Sequence, residues 1–156
     1  MQTFLPYKDF YKSLQSLDYK RLGKQRVEAF QLLNVLLGRT KTKGWKNHPI
    51  CKMWKGYENA LKVYYNICLK EWIKRGYKNT MKFEEIEIKN MEQPEWWGNE
   101  DFHNSHKSNL LRKDFDFYSK YDWKVSPDEP YVWFDVDKKQ FYKHIVEENK
   151  RDYYNN

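Results

Sequence analysis

A stripe of large apolar residues runs through the middle of the chain at helical spacing. Pro49 suits the first position of a helix, with His48 or Asn47 as its N-cap, and Gly76 suits its end. Between them the apolar residues recur at intervals of three and four: Ile50, Trp54, Tyr57, Leu61, Tyr64, Cys68 and Trp72. Such a stripe is wide enough to contact several neighbouring elements. The sequence therefore predicts one long core helix over this segment.

Two further helices are predicted before this stripe. Asp18 suits the N-cap of a helix that extends to about Leu37, with Gly38 as a C-terminal cap. A shorter helix over residues 9–17 carries its apolar residues at i, i+4 and i+7: Phe10, Leu14 and Leu17. The opening segment MQTFLPY is apolar, and we expect it to be extended.

The second half of the chain is less regular. Periodicity is lost over residues 79–99, and a third main helix is predicted over Ser105–Tyr118. A last amphipathic helix is predicted over residues 137–151, with Phe141, Ile145 and Val146 on its apolar face. No alternating strand pattern is evident. The predicted fold class is all-α: a compact single-domain bundle of about three main helices, with a helical core over 1–134 and a helical extension over 135–156.

The charge of the chain favours a nucleic-acid partner. Its 29 Lys and Arg exceed its 22 Asp and Glu, which gives a net charge of +7, and 19% of the residues are aromatic. Such aromatic content is unusual for a disordered basic tail, whereas phosphates suit the cations and bases suit the rings. Only six of the basic residues are Arg. The excess of Lys, Asn, Tyr and Ile is typical of an AT-rich bacterial or viral genome.

Several classes of protein are not supported by the sequence. No run approaches the ~18 apolar residues of a membrane helix, and no secretion signal opens the chain, so we expect a cytoplasmic protein without a membrane partner. Cys51 and Cys68 are too few for a disulfide scaffold. Because no glycine-rich phosphate loop or GxSxG motif is present, we expect neither a nucleotide cofactor nor serine hydrolysis.

The first long helix carries a candidate catalytic carboxylate. Arg21, Gln25 and Glu28 are four and three residues apart, which places them on one helical face, and Lys24 and Arg26 flank them. One interpretation is a solvated surface network. The other is a nucleic-acid site, in which cations hold phosphates while Glu28 handles protons or a positive charge at the sugar.

A second polar cluster lies in the segment FHNSHKSNLLRKD. We expect Ser105 to cap a helix here, with one histidine exposed or bonded to a phosphate. No third ligand accompanies His103 and His106, so no metal site is expected. Trp96 and Trp97 are either buried or able to stack on an extruded base. The candidate DNA-contacting residues are Arg21, Lys24, Gln25, Arg26, His48, His106, Asn109, Arg112 and Lys113.

Five segments of the chain carry a family resemblance. They are MQTFLPY, LDYKRLGKQRVEAFQLL, NHP…MWKGYENAL, FHNSHKSNLLRKD and PYVW, and together they extend over Met1–Trp133. They resemble the pyrimidine-dimer DNA glycosylases of the phage endonuclease V type, including a group of small bacterial and viral members. The resemblance implies a compact helical monomer that acts on damaged or modified bases in duplex DNA.

The resemblance also implies a mechanism that needs no metal or cofactor. In such enzymes the N-terminal amine attacks C1′ of the damaged nucleotide, and a helix glutamate, matched here by Glu28, assists base release and the AP-lyase step. Two positions depart from the pattern. Gln2 is too bulky for removal of Met1, so the amine is expected to be that of Met1. Val27 stands where those enzymes have an arginine before the glutamate.

Two alternative functions remain open at this stage. The first is a nucleic-acid-binding protein that uses the same scaffold without catalysis. The second is a metal-dependent nuclease that uses His48, His103, His106 and Glu28.

Overall fold

The computed structural model describes residues 1–41 and 44–144, which form a mostly helical fold with one small sheet. Six α-helices and a two-stranded antiparallel sheet are present in these residues. The helices are α1 (Phe10–Gln15), α2 (Tyr19–Leu36), α3 (Pro49–Trp54), α4 (Glu58–Lys74), α5 (Glu100–Lys113) and α6 (Phe115–Tyr118), and the strands are β1 (Tyr131–Asp135) and β2 (Gln140–His144). The predicted helical character is confirmed, but the fold is not purely α-helical.

The first two helices agree with their predicted bounds. The Asp9 carboxylate caps α1 by accepting a hydrogen bond from the Lys12 amide at 2.7 Å. Asp18 is the N-cap residue of α2, although its carboxylate bonds to Tyr118 and Arg21 rather than to the helix end. Gly38 follows α2 in the left-handed conformation, at a φ of 68°.

The predicted long helix is interrupted, so that prediction is wrong in one respect. His48 caps α3 by accepting from the Ile50 amide at 3.1 Å, and Pro49 takes its first position, as expected. The helix ends at Trp54, and Gly56 has a φ of 90°, a conformation that a helix cannot contain. After this turn α4 packs against α1 and α2.

The third main helix begins earlier than predicted. Asn99, not Ser105, is the N-cap of α5, and its side chain accepts from the Phe102 amide at 2.9 Å. Ser105 lies inside the helix, where its hydroxyl accepts from the Val132 amide of β1 at 3.1 Å. The helix stops at Asp114, which caps the separate helix α6. Phe115, the first residue of α6, is exposed.

A β-hairpin stands where the sequence predicted the start of a C-terminal helix. Strands β1 and β2 pair antiparallel with Trp133 opposite Tyr142, and the Phe134 and Phe141 rings lie 4.8 Å apart. Packing of β1 against α3 and α5 covers one side of the hairpin. The predicted helix is therefore wrong over residues 137–144, where a turn leads into β2, and its remaining part, with Ile145 and Val146, lies outside the described residues. The expected domain boundary after residue 134 falls within β1.

The N-terminal segment is buried and is held by two histidines of α5. The His106 Nδ1 atom accepts from the Leu5 amide at 2.8 Å, and the His103 Nδ1 atom lies 2.7 Å from the Leu5 carbonyl oxygen. His103 Nε2 accepts from the Gly98 amide at 3.0 Å, so the proton of the neutral ring is on Nδ1. The bonds accepted by His106 Nδ1 and His103 Nε2 require neutral imidazoles, and the two rings hold Leu5 in the core.

The buried histidines predict a loss of stability at acidic pH. Burial lowers the pKa of His48 to about 4, and it lowers the pKa values of His103 and His106 below their usual value. The unfolded chain takes up these protons near pH 6.5, so below that pH it binds more protons than the folded chain. The free energy of unfolding should therefore fall as the pH decreases from about 6.5 towards 4. Urea denaturation at a series of pH values measures this dependence.

His48→Asn is the matched variant for this prediction. Asparagine caps helices well, so the variant keeps the α3 cap and removes one titrating ring. Its stability loss between pH 6.5 and 4 should be smaller than that of the wild type by up to about 3 kcal/mol. Equal losses in the two proteins would contradict a neutral, buried His48.

Candidate active site

A pocket of about 160 Å³ lies where the N-terminus meets α2, the end of α5 and the start of β1. Its wall combines two buried amide side chains, one carboxylate, several cations and two aromatic rings. The lining residues are Met1, Gln2, Phe4, Lys20, Arg21, Lys24, Gln25, Glu28, Lys113 and Tyr131. The pocket therefore brings together the two predicted catalytic residues, Met1 and Glu28, and four of the predicted DNA-contacting residues.

Helical spacing explains which residues of α2 line the pocket. Arg21, Gln25 and Glu28 lie on one face, as predicted, and this face contacts the N-terminal segment instead of solvent. Gln25 and Glu28 are buried, whereas Arg21 is half-buried and Lys24 is exposed. The face is thus not a solvated surface network, which was the alternative interpretation of the spacing.

The Gln25 side chain joins the N-terminal segment to the core. Its Oε1 atom accepts from the Phe4 amide at 2.9 Å and from the Tyr64 hydroxyl at 2.6 Å. Its Nε2 atom donates to the Gln2 carbonyl at 2.9 Å and to Glu28 Oε2 at 3.2 Å. All four hydrogen-bonding positions of this amide are used. Gln25 therefore acts as a structural link between the two predicted catalytic residues.

Glu28 receives hydrogen bonds and positive charge from three directions. Its Oε2 atom accepts from the Gln2 amide at 3.3 Å, and its Oε1 atom lies 3.7 Å from Lys24 Nζ. Met1 is only 4% exposed and Glu28 is 8% exposed. An amine and a carboxylate are thus both withdrawn from water beside the same small cavity.

Burial and charge shift the pKa values of this pair. Burial lowers the pKa of the Met1 α-amino group, the Glu28 carboxylate opposes the shift, and Lys24 and Lys113 add to it. Burial raises the pKa of the Glu28 carboxyl group, against the opposing effect of the amine and the two lysines. Both shifts favour the neutral forms, which for an amine is the nucleophilic form.

Lys113 is a second amine with an altered pKa. Burial at the end of α5 lowers its pKa to about 8, and the charges of Arg21 and Lys24 act in the same direction. A cluster of ionisable groups with such shifts is typical of functional sites. The cluster is strongly cationic, so it suits an anionic ligand.

Three predicted DNA-contacting residues have other contacts in the structure. The Arg26 guanidinium stacks on the Trp72 ring at 4.0 Å, away from the pocket. Arg112 donates to the carbonyl oxygens of Pro127 and Glu129 in the segment before β1. His48 caps α3. None of the three lines the pocket.

Of four other candidates, three are buried and one is half-buried. His106 and Asn109 are buried; His106 holds Leu5, and the Asn109 amide donates to the Ser105 carbonyl at 2.7 Å. Trp96 is fully buried, and its indole donates to the Met53 carbonyl at 3.0 Å. Trp97 is half-buried, 4.7 Å from the Phe10 ring. Trp96 therefore has no face open to a base, whereas Trp97 is in edge-to-face contact with the rings of Phe10 and His103.

The residues of the predicted metal alternative do not converge. His103 and His106 both use their rings to hold the N-terminal segment, and His48 caps a helix. No group of three or more His, Cys, Asp or Glu residues suited to a metal ion occurs within residues 1–41 and 44–144.

In the same part of the chain, every helix is too short or too polar to cross a membrane.

Sequence reasoning missed four pocket residues: Gln2, Phe4, Lys20 and Tyr131. In the sequence Gln2 indicates only that Met1 is retained, yet it lines the pocket, and its backbone amide donates to the Glu28 carboxylate. Lys20 is four residues before Lys24, which is four residues before Glu28, so its position on this side of α2 follows from helical geometry. Tyr131 lies in the PYVW segment. The family resemblance of that segment was the one sequence signal for this residue.

The comparison with protein families identifies the chain. The sequence model of the pyrimidine dimer DNA glycosylase family matches residues 1–85, just over half of the 156 residues. The chain therefore belongs to this family. The matched region contains the N-terminal segment and all of α2, and so includes both Met1 and Glu28. No curated protein and no solved structure matched the chain.

The hydrogen bonds of Gln25 predict a large loss of stability for Gln25→Leu. Leucine fills similar space but leaves the buried Phe4 amide and Gln2 carbonyl without their partners. Each unsatisfied group costs about 1–3 kcal/mol, so we expect the free energy of unfolding to fall by about 3 kcal/mol. Urea denaturation measures the change.

Gln31→Leu makes the same substitution at an exposed position of α2. It should change the free energy of unfolding by less than about 0.5 kcal/mol. Similar stabilities for the two variants would contradict the role of Gln25 as a link to the N-terminal segment.

Proposed function

We propose that this protein is a DNA glycosylase with AP-lyase activity that removes a damaged pyrimidine from duplex DNA. The observation that carries the proposal is the burial of the Met1 α-amino group and the Glu28 carboxylate beside one cation-lined pocket. Membership of the pyrimidine dimer DNA glycosylase family supports the same substrate class. A DNA substrate also agrees with the intracellular location expected from the sequence.

The proposed reaction begins with attack by the neutral Met1 amine on C1′ of the damaged nucleotide. The glycosidic bond breaks, the base leaves with its electron pair and takes up a proton, and ring opening at O4′ gives an imine between the amine and C1′. Loss of a proton from C2′ then expels the 3′ phosphate, which cuts the strand. Glu28 stabilises the positive charge at the sugar and assists the proton transfers.

The environment of the amine favours this role. An ordinary α-amine has a pKa of about 7.7–8.0, and burial lowers that of Met1. A larger fraction is therefore neutral at physiological pH than for an exposed N-terminus. The hydrogen bonds to Gln2, Phe4 and Leu5 hold the segment in place, which supplies the fixed geometry that nucleophilic attack needs.

The cations at the pocket supply the proposed DNA contacts. Lys20, Arg21, Lys24 and Lys113 line it, and a sugar that reaches Met1 brings its flanking phosphates close to them. Arg26 and Arg112 are left out of this set because of their contacts with Trp72 and with backbone carbonyls.

Borohydride trapping tests the nucleophile. Reduction during reaction with a duplex containing a pyrimidine dimer or an abasic site should convert the imine into a stable crosslink. The crosslink should map to Met1, or to Gln2 if Met1 is removed. Acetylation of the N-terminus should abolish both the crosslink and strand cleavage, because the acetylated nitrogen is no longer a nucleophile.

Glu28→Gln is the companion variant. It keeps the side-chain shape and should preserve folding and DNA binding while removing most of the cleavage.

Cleavage that survives N-terminal acetylation would contradict the proposed mechanism, and loss of that cleavage with EDTA would favour the metal-dependent nuclease. Binding without cleavage of either duplex would favour the non-catalytic alternative.

The salt dependence of binding distinguishes the two arginines of α2. Arg21→Ala should weaken binding to DNA of any sequence and reduce the slope of log K against log salt by about 1, since one phosphate contact is lost. Arg26→Ala should leave the slope unchanged because Arg26 stacks on Trp72. Titrations at several salt concentrations measure both slopes. Equal slopes for the two variants would contradict the proposed DNA-binding face.

A further inference from the structure

A buried carboxylate holds the Arg21 side chain at the pocket. The Arg21 Nη1 atom donates to both carboxylate oxygens of Asp18, at 3.2 Å each. Asp18 is only 8% exposed, and the Arg21 side chain is 23% exposed. Salt and water screen such a pair less than an ion pair on the surface. The contact with Asp18 therefore fixes the position of the guanidinium.

The Tyr118 hydroxyl orients this carboxylate. It accepts a hydrogen bond from the Asp18 backbone amide at 3.1 Å and donates one to Asp18 Oδ1. Tyr118 is fully buried in α6, and its ring stacks on the Trp123 ring, with 5.9 Å between the centroids. Burial and the bond to Asp18 raise the pKa of Tyr118. The hydroxyl therefore keeps its proton at physiological pH and remains a donor to the carboxylate.

The Asp18 carboxylate binds Arg21 and Tyr118 instead of capping its own helix. Asp18 is the N-cap residue of α2, a position where an Asp side chain usually accepts from an amide of the first turn. Asp9 and Asn99 make such bonds at α1 and α5, but Asp18 makes none at α2. A local stabilising contact is thus absent where the carboxylate holds Arg21. Departures of this kind are typical of functional sites.

Part of the Arg21 guanidinium remains available to a ligand. Among residues 1–41 and 44–144, its hydrogen bonds use only the Nη1 atom. The N–H groups of Nε and Nη2 can bind two oxygen atoms of one phosphate. Arg21 lines the same pocket as Met1 and Glu28. A side chain that is already ordered there loses less entropy when it binds an oxyanion.

We propose that Asp18 and Tyr118 are positioning residues for Arg21 and that they orient its guanidinium to bind the phosphate beside the nucleotide under attack. The inference rests on the proposed function and adds to it the residues that order this phosphate contact before DNA binds. Neither Asp18 nor Tyr118 lines the pocket. Tyr118 acts on Asp18, and Asp18 acts on Arg21.

Tyr118→Phe tests the inference because it removes the hydroxyl without changing any charge. The probe is a duplex that carries a tetrahydrofuran analogue of an abasic site, which has no leaving group at C1′ and cannot form an imine. Its Kd should rise about fivefold, the cost of ordering one long side chain on binding. In the Arg21→Ala background the same substitution should change Kd by less than about twofold, because Tyr118 acts through Arg21.

Tyr121→Phe is the matched control. The Tyr121 ring lies 6.3 Å from the Tyr118 ring, and its hydroxyl donates to the Ser16 carbonyl at 2.8 Å. Each variant loses a hydrogen bond to the chain ahead of α2, so both should melt at a lower temperature than the wild type. Tyr121→Phe should nevertheless bind the duplex within about twofold of the wild type, since Arg21 keeps its anchor.

Asp18→Asn is a second variant with an opposing charge effect. Asparagine also caps helices, so the variant should fold while its side chain no longer pairs with the Arg21 charge. Loss of a negative charge alone should strengthen binding to a polyanion. Release of Arg21 should weaken binding. We therefore expect a higher Kd than that of the wild type, and an equal or lower Kd than that of Arg21→Ala when the two substitutions are combined.

The outcomes separate this inference from the proposed function. Equal weakening by Tyr118→Phe and Tyr121→Phe, or a Tyr118→Phe effect that persists without Arg21, would show that Tyr118 only supports the fold. Unchanged binding by Tyr118→Phe, or tighter binding by Asp18→Asn alone, would show that Arg21 needs no positioning. Each of these results overturns the inference alone.

The imine trapped by borohydride tests the proposed function separately. A wild-type protein that binds the duplex but forms no imine with abasic DNA would overturn the proposed reaction, while the Kd values would still decide this inference. A wild-type protein that does not bind the duplex would overturn both.

Discussion

The buried amide of Gln25 is the interaction on which the arrangement of the site depends. The N-terminal segment runs through the interior without a neighbouring strand, so its peptide groups must find other partners. Gln25 provides them for Gln2 and Phe4, and histidines of α5 provide them for Leu5. Because the same amide also bonds to Glu28, the chain that carries the Met1 amine is fixed next to the carboxylate.

The site combines this rigidity with groups that cost stability. The Met1 amine, the Glu28 carboxylate and Lys113 are buried together. Burial lowers the pKa values of the two amines and raises that of the carboxyl group, so it favours the neutral form of each. Such costs are tolerated where function requires them and the surrounding structure is well packed. Here the packing comes from the aromatic core around α4 and α5.

The sequence predicted the elements whose determinants are local. The cap at His48 and the course of α2 agree with the structure, because each depends on residues close to it in the sequence. Ser105 did not cap α5, because its hydroxyl binds Val132, which only the packing of β1 on α5 brings near. Residues 140–144 form a strand because β1 lies beside them, a contact that helical periodicity cannot anticipate.

The same distinction applies to the site. Helical spacing alone placed Arg21, Gln25 and Glu28 on one face, because residues three and four apart always share a side of a helix. The sequence of α2 does not determine whether that face contacts solvent or the N-terminal segment. Tertiary packing brought Met1 and Tyr131 to it from distant parts of the sequence. It thereby converted a row of polar side chains into a buried pocket, since burial and pKa depend on what covers a face and not on the residues within it.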